Sequence, residues 1–130
     1  MIRKMKTPDV SDCPDLAPIL IALAAYCGGG SLTGTSRLKY KESDRTAAMK
    51  RELEAFGVCL DISENSVALR GRLRAPDRVL NSHNDHRIAM ALAILCTVTG
   101  GEIDGAEAVA KSYPEFWRVL QKLGIEVSLI

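Results

Sequence analysis

Two stretches of this chain are apolar on nearly every helical face. Residues 14 to 27 read PDLAPILIALAAYC, and residues 84 to 101 read NDHRIAMALAILCTVTGG. In the first, Leu16, Ile19, Leu20 and Leu23 recur at helical spacing while alanines fill the other sides. A helix without a polar face is expected to be buried all round. Two such helices in 130 residues leave few arrangements. They must form the inside, with strands and amphipathic helices wrapped around them, whereas most layered α/β folds keep helices outside.

The elements after each apolar helix repeat as well. The first helix stops at Gly28, Gly29 and Gly30, and SLTG reads as a short strand. KESDRTAAMKRELEAFG is then an amphipathic helix with Met49, Leu53 and Phe56 on one stripe and Gly57 at its end. VCLDI and SVALR alternate with period two around Glu64-Asn65, so residues 58 to 70 read as a β-hairpin. Residues 71 to 77 read as a loop, with a short strand near Arg78 to Leu80. The second apolar helix is followed by EIDG, then the amphipathic helix SYPEFWRVLQKLG, then IEVSL, which alternates as VCLDI does. The chain thus holds two copies of one helix, strand, helix, strand unit, offset by about 70 residues, the first with an extra hairpin strand. The predicted fold is α/β (α+β), with apolar helices inside and mixed sheets outside. Repeat one covers about 9–72 and repeat two about 73–130. The first copy lacks a full opening strand and the second lacks a last one, so both ends read as cut from something larger.

Composition removes several classes. A content of 47% hydrophobic residues argues against disorder. A net charge of +1 argues against a general nucleic-acid binder, so any basic site must come from local clustering. Cys13, Cys27, Cys59 and Cys96 form no CxxC pair or zinc pattern. The last three sit among apolar residues and read as buried free thiols, which suits a reducing cytoplasm. MIRKMKTP has no apolar core of a signal peptide. No apolar run approaches the ~20 residues of a membrane span.

The chemistry points to the helix starts. CPDL carries Asp15, KESDR carries Lys41, Glu42, Asp44 and Arg45, NDHR carries His86 and Arg87, and Lys111 precedes SYPE. Asn84 or Asp85 can cap the third of these helices, and Ser112 and Glu115 have capping-box spacing. Unpaired N–H groups at a helix start attract anions, and added Lys or Arg strengthens the site. In a repeat fold such starts can converge on one edge. Lys41, Arg45, Arg87 and Lys111 together exceed what one carboxylate needs and suit a phosphate, or a phosphate with a carboxylate. Singly, each has a plainer reading. KESDR is then a solvated helix end, Asp15 a dipole-favouring residue, His86 a structural histidine and Lys111 a surface lysine. Trp117, Tyr113 and Phe116 read as core, and Arg70, Arg72, Arg74 and Arg78 as a solvated strand end and loop. Arg87 resists the plain reading, because no acidic residue follows it three or four positions on.

DCPDLAPILIALAAY, RLKYKESDR, NDHRIAMALAI and KSYPEFW occur in that order between about Asp9 and Leu123. Together they closely resemble the C-terminal part of the 5-enolpyruvylshikimate-3-phosphate synthase family. The resemblance implies transfer of the enolpyruvyl group of phosphoenolpyruvate to the 5-hydroxyl of shikimate 3-phosphate, with release of phosphate. It implies a tetrahedral intermediate and no metal or organic cofactor. The implied fold is two similar domains, each of three βαβαββ repeats with helices inside, of which 9–130 would be part of the second. Residues 1–8 would be an extension outside the family pattern.

The resemblance also implies roles. Asp15 matches the aspartate that contacts shikimate 3-phosphate and is the candidate base for its 5-hydroxyl. Lys41 matches a lysine between both substrates. Glu42 matches the proton donor to the methylene carbon of phosphoenolpyruvate. Arg45, Arg87 and Lys111 match residues that grip phosphoenolpyruvate, and His86 a supporting histidine. Arg37 lies near a shikimate-phosphate contact of some relatives. Family members are far longer, and their first domain supplies a catalytic lysine and a phosphate-binding Ser-Ser-Gln stretch that this chain lacks. The implied partner is therefore the missing N-terminal portion, and the chain alone is expected to turn over negligibly. Two other classes remain open. One is a non-catalytic α/β module that binds RNA through Arg70, Arg72, Arg74 and Arg78. The other is a protein-binding module that completes its fold by association through exposed strand edges.

Overall fold

The computed structural model describes residues 7–129. Most of the expected N-terminal extension lies outside them. Within it, Thr7 shares a hydrogen bond with Ser31, and the Pro8 carbonyl accepts from the Thr33 N–H at 3.0 Å.

A 3-10 turn at Pro14–Leu16 leads into α1, Ala17–Tyr26. Prolines suit these first turns, where an N–H would lack a helical partner anyway. Gly28, at φ +87°, ends the helix. Its N–H bonds to the Ala25 carbonyl and that of Gly29 to the Ala24 carbonyl, a Schellman closure that favours glycine. Strand β1, Gly30–Thr33, then pairs antiparallel with β3, Ser66–Gly71, which pairs antiparallel with β2, Val58–Ile62. A parallel bridge from Asp9 to Thr33 extends the β1 edge. The hairpin is the expected one, with Val58 opposite Gly71 and Ile62 opposite Val67. Its alternation buries Val58, Leu60, Val67 and Leu69. Helix α2, Arg45–Ala55, lays Met49 and Leu53 into the core, with Phe56 just beyond its end.

The second half opens on β4, Leu80–Asn81, followed by α3, His86–Thr99. Strand β5, Ile103–Asp104, pairs parallel to β4. A 3-10 turn at Ala106–Lys111 precedes α4, Phe116–Lys122. Helices α1 and α3 pack together, and Ile21, Ala24, Ile88 and Leu92 share the main core with Leu32, Leu53 and Phe56. Ala89, Ala93, Phe116 and Leu120 form a smaller cluster under α4. The repeat and the inner position of the apolar helices are as the sequence implies. No helix among the described residues is long and apolar enough to cross a membrane.

Four expectations are corrected. IEVSL is not a strand. Ile125 and Val127 pack on the smaller cluster, and the Ile125 N–H bonds back to the Leu120 carbonyl at 3.0 Å. Alternation alone does not make a strand without a partner to fill its ladder, and the second copy has no counterpart of β3 among the described residues. The thiols are less buried than expected. Cys59 lies on the outer face of β2 and is exposed, and Cys27 and Cys96 are half-buried. Burial pushes the Cys96 thiol up to about 11. Tyr113 is exposed although its ring meets Phe116 edge-on.

The fourth correction concerns the apolar helices. Neither is covered on every side. Leu16 and the α1 residues Ile19, Leu23 and Tyr26 form one exposed stripe, and Ile94 and Val98 are exposed on α3. Two inner helices cover each other on one side only, and nothing among the described residues covers the remaining sector. This predicts a contrast within α1. Ile21→Ala removes a buried side chain and should cost about 2–5 kcal/mol in urea unfolding. Leu23→Ala, at a residue 46% exposed, should cost less than about 1 kcal/mol. Equal losses would mean that the outer sector is packed in solution.

Candidate anion site at the helix starts

The KESDR segment is not helical from its first residue. After a 3-10 turn at Ser36–Tyr40 the chain bends through residues 41–43, and α2 starts at Arg45. Asp44 is the reason. It takes an extended conformation and its carboxylate accepts from the Ala47 N–H at 3.1 Å, so it caps the helix. At the start of α3 the cap is Asp85, which accepts from the Arg87 N–H at 2.9 Å. The expected Ser112–Glu115 capping box does not form. Pro114 disfavours helix at Tyr113 before it, α4 begins at Phe116, and the Ser112 hydroxyl bonds to His86 Nδ1 instead.

These starts converge around Arg45, which is only 1% exposed. Asp85, fully buried, grips it in bidentate fashion. Its Oδ2 accepts from Arg45 Nε at 2.9 Å and its Oδ1 from Nη2 at 3.2 Å, and the Ser43 hydroxyl adds a bond of 2.7 Å to Oδ2. On the outer edge of the guanidinium, Nη1 donates to Asp15 Oδ1 at 2.9 Å and Nη2 to Glu42 Oε2 at 2.6 Å. Lys41 Nζ lies 3.8 Å from Asp15, and His86 Nε2 lies 3.7 Å from Glu42. Lys111 Nζ donates to the Asn84 carbonyl. Arg87 is different. Its Nε is buried and has no hydrogen-bond partner among the described residues.

Asp15, Lys41, Glu42, Arg45 and His86 therefore meet at this junction, the charge of Arg87 acts on Asp15, and Lys111 reaches the turn before α3, but Arg45 is not an open clamp. Three carboxylates hold it, two of them half-exposed, with the Asp15 side chain 55% and the Glu42 side chain 46% accessible. Burial pushes the Asp15 carboxyl up. The Arg45 hydrogen bond and the charges of Lys41, Arg45 and Arg87 outweigh that and hold it below its ordinary value. Asp85 follows the same pattern: burial raises it, while Arg45, Ser43 and the Arg87 N–H together keep it low. Burial alone would lower Arg45, yet its carboxylates raise it.

Asp85 and Ser43 were missed in the sequence as site residues. Asp85 announced itself only as a cap, and its partner Arg45 is 40 positions away. Glu42, Asp85 and His86 bring ligand atoms within 4.8 Å of one another. The Arg45 guanidinium already neutralises both carboxylates and would repel a divalent ion there. Arg37 donates to the Ser11 carbonyl. Arg70, Arg74 and Arg78 each pair with a carboxylate, on Asp61, Asp77 and Glu52. That weakens a basic face for RNA, which needs cations free for phosphates.

The family model for EPSP synthase (3-phosphoshikimate 1-carboxyvinyltransferase) matches residues 2–120. A 3-phosphoshikimate 1-carboxyvinyltransferase of Clostridium acetobutylicum is 43% identical over 122 residues, 92% of this chain and 28% of that relative. One from Saccharolobus islandicus is 38% identical over 126 residues, 93% of this chain and 30% of its own length. Among solved structures, EPSP synthase from Acinetobacter baumannii superposes with a TM-score of 0.83 at 30% identity, over 99% of this chain and 32% of that one. The enolpyruvyl transferase NikO from Streptomyces tendae shares the fold, with a TM-score of 0.70 at 20% identity over 97% of this chain and 30% of that one. The chain spans less than a third of the length of these relatives. A match across residues 2–120, joined to a fold that superposes at 0.83, places this chain in the EPSP synthase family.

Proposed function

We propose that this chain supplies part of the active site of an enzyme that transfers the enolpyruvyl group of phosphoenolpyruvate to the 5-hydroxyl of shikimate 3-phosphate, releasing phosphate. The observation that carries this is the meeting of Lys41 and Arg45 with two accessible carboxylates, Asp15 and Glu42, next to the start of α3, where Lys111 reaches the Asn84 carbonyl and the buried Arg87 Nε has no hydrogen-bond partner among the described residues. Phosphoenolpyruvate presents a carboxylate and a phosphate close together, and the four cations offer a place for both. The reaction needs no metal or organic cofactor in this scheme.

Asp15 and Glu42 now occupy the outer edge of Arg45, where an incoming carboxylate would bind. A substrate anion displaces them, while the bidentate, buried Asp85 stays. Asp15, released from the guanidinium, becomes a stronger base for the 5-hydroxyl. Glu42, freed from the guanidinium, acts in its protonated form and gives that proton to the methylene carbon, while Asp15 takes up the proton of the 5-hydroxyl. Lys41 bridges the two substrates, Arg87 and Lys111 hold phosphoenolpyruvate, and His86, fixed by Ser112, supports Glu42. The rest of the enzyme provides the remaining contacts and the closure that expels water and aligns the reactants. Its segments are also the proposed cover for the exposed stripe of α1 and α3. The proposed setting is the cytoplasm, and glyphosate is a proposed ligand of the same cations.

Titrating the chain with phosphoenolpyruvate, phosphate or glyphosate should shift the resonances of Arg45, Arg87 and Lys111. Binding should be weak and should weaken further with salt. Saturating ligand that moves only residues far from the helix starts sinks the reading. Turnover is expected only when the chain is mixed with a separately expressed remainder of the enzyme, assayed by phosphate release.

A further inference from the structure

Glu52 faces the interior from α2 and is fully buried, yet no step of the proposed reaction uses it. A buried carboxylate persists only where it is paired. Here Oε1 accepts from Arg78 Nη1 at 3.0 Å and from the Asn81 N–H at 2.9 Å. Oε2 lies 2.7 Å from His83 Nε2 and 3.5 Å from Arg51 Nε. Three of these four partners belong to the segment that leads into α3.

That segment is unusual. His83 and Asn84 both take left-handed backbone conformations, at φ +56° and +54°. Two successive non-glycine residues there are costly and need anchors. Asn81 Oδ1 accepts from the His83 N–H at 2.6 Å, and the Ser82 hydroxyl from the Asn84 N–H at 3.2 Å. Glu52 is the anchor that ties this turn to another helix. The turn also delivers the site. The Asn84 carbonyl receives Lys111, Asp85 holds Arg45 and caps α3, and His86 and Arg87 come directly after.

We propose that Glu52 is a positioning residue for the anion site: through Asn81 and His83 it fixes the left-handed turn that sets Asp85, Arg87 and Lys111. The identity of the anion rests on the function proposed above, but the positioning does not.

The test uses Glu52→Ala, Glu52→Gln and His83→Ala in this chain, with phosphoenolpyruvate as probe and amide hydrogen exchange as a second readout. Glu52→Ala should weaken binding by about tenfold or more, and it should speed exchange at Asp85 and Arg87 while the β2–β3 hairpin stays protected. Gln keeps an acceptor for the Asn81 N–H and a polar amide facing His83, so Glu52→Gln should recover most of both. If Glu52→Ala does not fold, His83→Ala decides, with the same local speeding of exchange expected. Unchanged exchange at Asp85 and Arg87 in the folded variants overturns the proposal, as does an equal loss of protection across the whole chain. If the unmutated chain binds no phosphoenolpyruvate, the proposed function falls and the exchange data still decide the role of Glu52.

Discussion

Replacing Asp85 with alanine is expected to destabilise the chain by about 3–5 kcal/mol, the range for breaking one side of a buried ion pair. The cause is local and specific. Arg45 is 1% exposed and Asp85 fully buried, so water cannot take the place of the lost carboxylate. Asp15 and Glu42 would remain on the outer edge, but Nε would have no acceptor. The α3 cap and the acceptor for Ser43 would go as well. A urea midpoint reads the loss. Combining Asp85→Ala with Arg45→Met should be milder than Asp85→Ala alone, because no unpaired charge then stays buried. A single variant within about 1 kcal/mol of the parent would show that the junction is hydrated and not a buried pair.

Asp85, Asp15 and Glu52 together set the acid limit. Asp85 and Asp15 are held below their ordinary 3.8, and Glu52 below its ordinary 4.5. The folded chain therefore binds fewer protons than the unfolded chain in this range. Their contribution is complete above these ordinary values and is lost as pH falls through the lower folded ones. Acid unfolding should thus begin as pH drops below about 4, and Asp85→Asn should flatten the profile.

Replacing Arg87 with methionine should have the opposite signature. Its buried Nε has no partner among the described residues, and an unsatisfied buried donor costs about 1–3 kcal/mol. Methionine fills similar space without that donor, so stability should be unchanged or slightly higher. Binding of phosphoenolpyruvate should fall. One charge-assisted hydrogen bond is worth about 1.5–3 kcal/mol, or roughly 10- to 100-fold in affinity. Calorimetric melting and a ligand titration on the same sample separate the two effects. A marked loss of stability with unchanged affinity would make Arg87 a structural residue.

Much of this was legible in the sequence. The all-round apolar character of 14–27 and 84–101 marked the inner helices, and the glycines after them marked their ends. Period-two alternation located the β2–β3 hairpin, and Met49, Leu53 and Phe56 located the inner face of α2. The motifs around Asp15, Lys41, Glu42, Arg45 and His86 picked out residues that do come together, with Lys111 reaching the turn just before α3. Other features were hidden. Glu52 in RELEA looked like one more polar residue of an amphipathic helix, yet it is buried and tied to Arg78, Asn81 and His83. IEVSL had the alternation of a strand and lacked the neighbour that would make it one.

The sequence by itself determined most of the elements, their repetition and the gathering of charge at the helix starts. Those arise from periodicity and from capping, which act within a few residues. Only the tertiary structure decided that Arg45 is held by Asp85, Asp15 and Glu42 while the buried Arg87 Nε has no hydrogen-bond partner among the described residues. Two of those partners lie 30 and 40 positions away along the chain. Which carboxylate meets which cation is set by packing and burial, where the cost of an unpaired charge acts across space and leaves no local spacing to read.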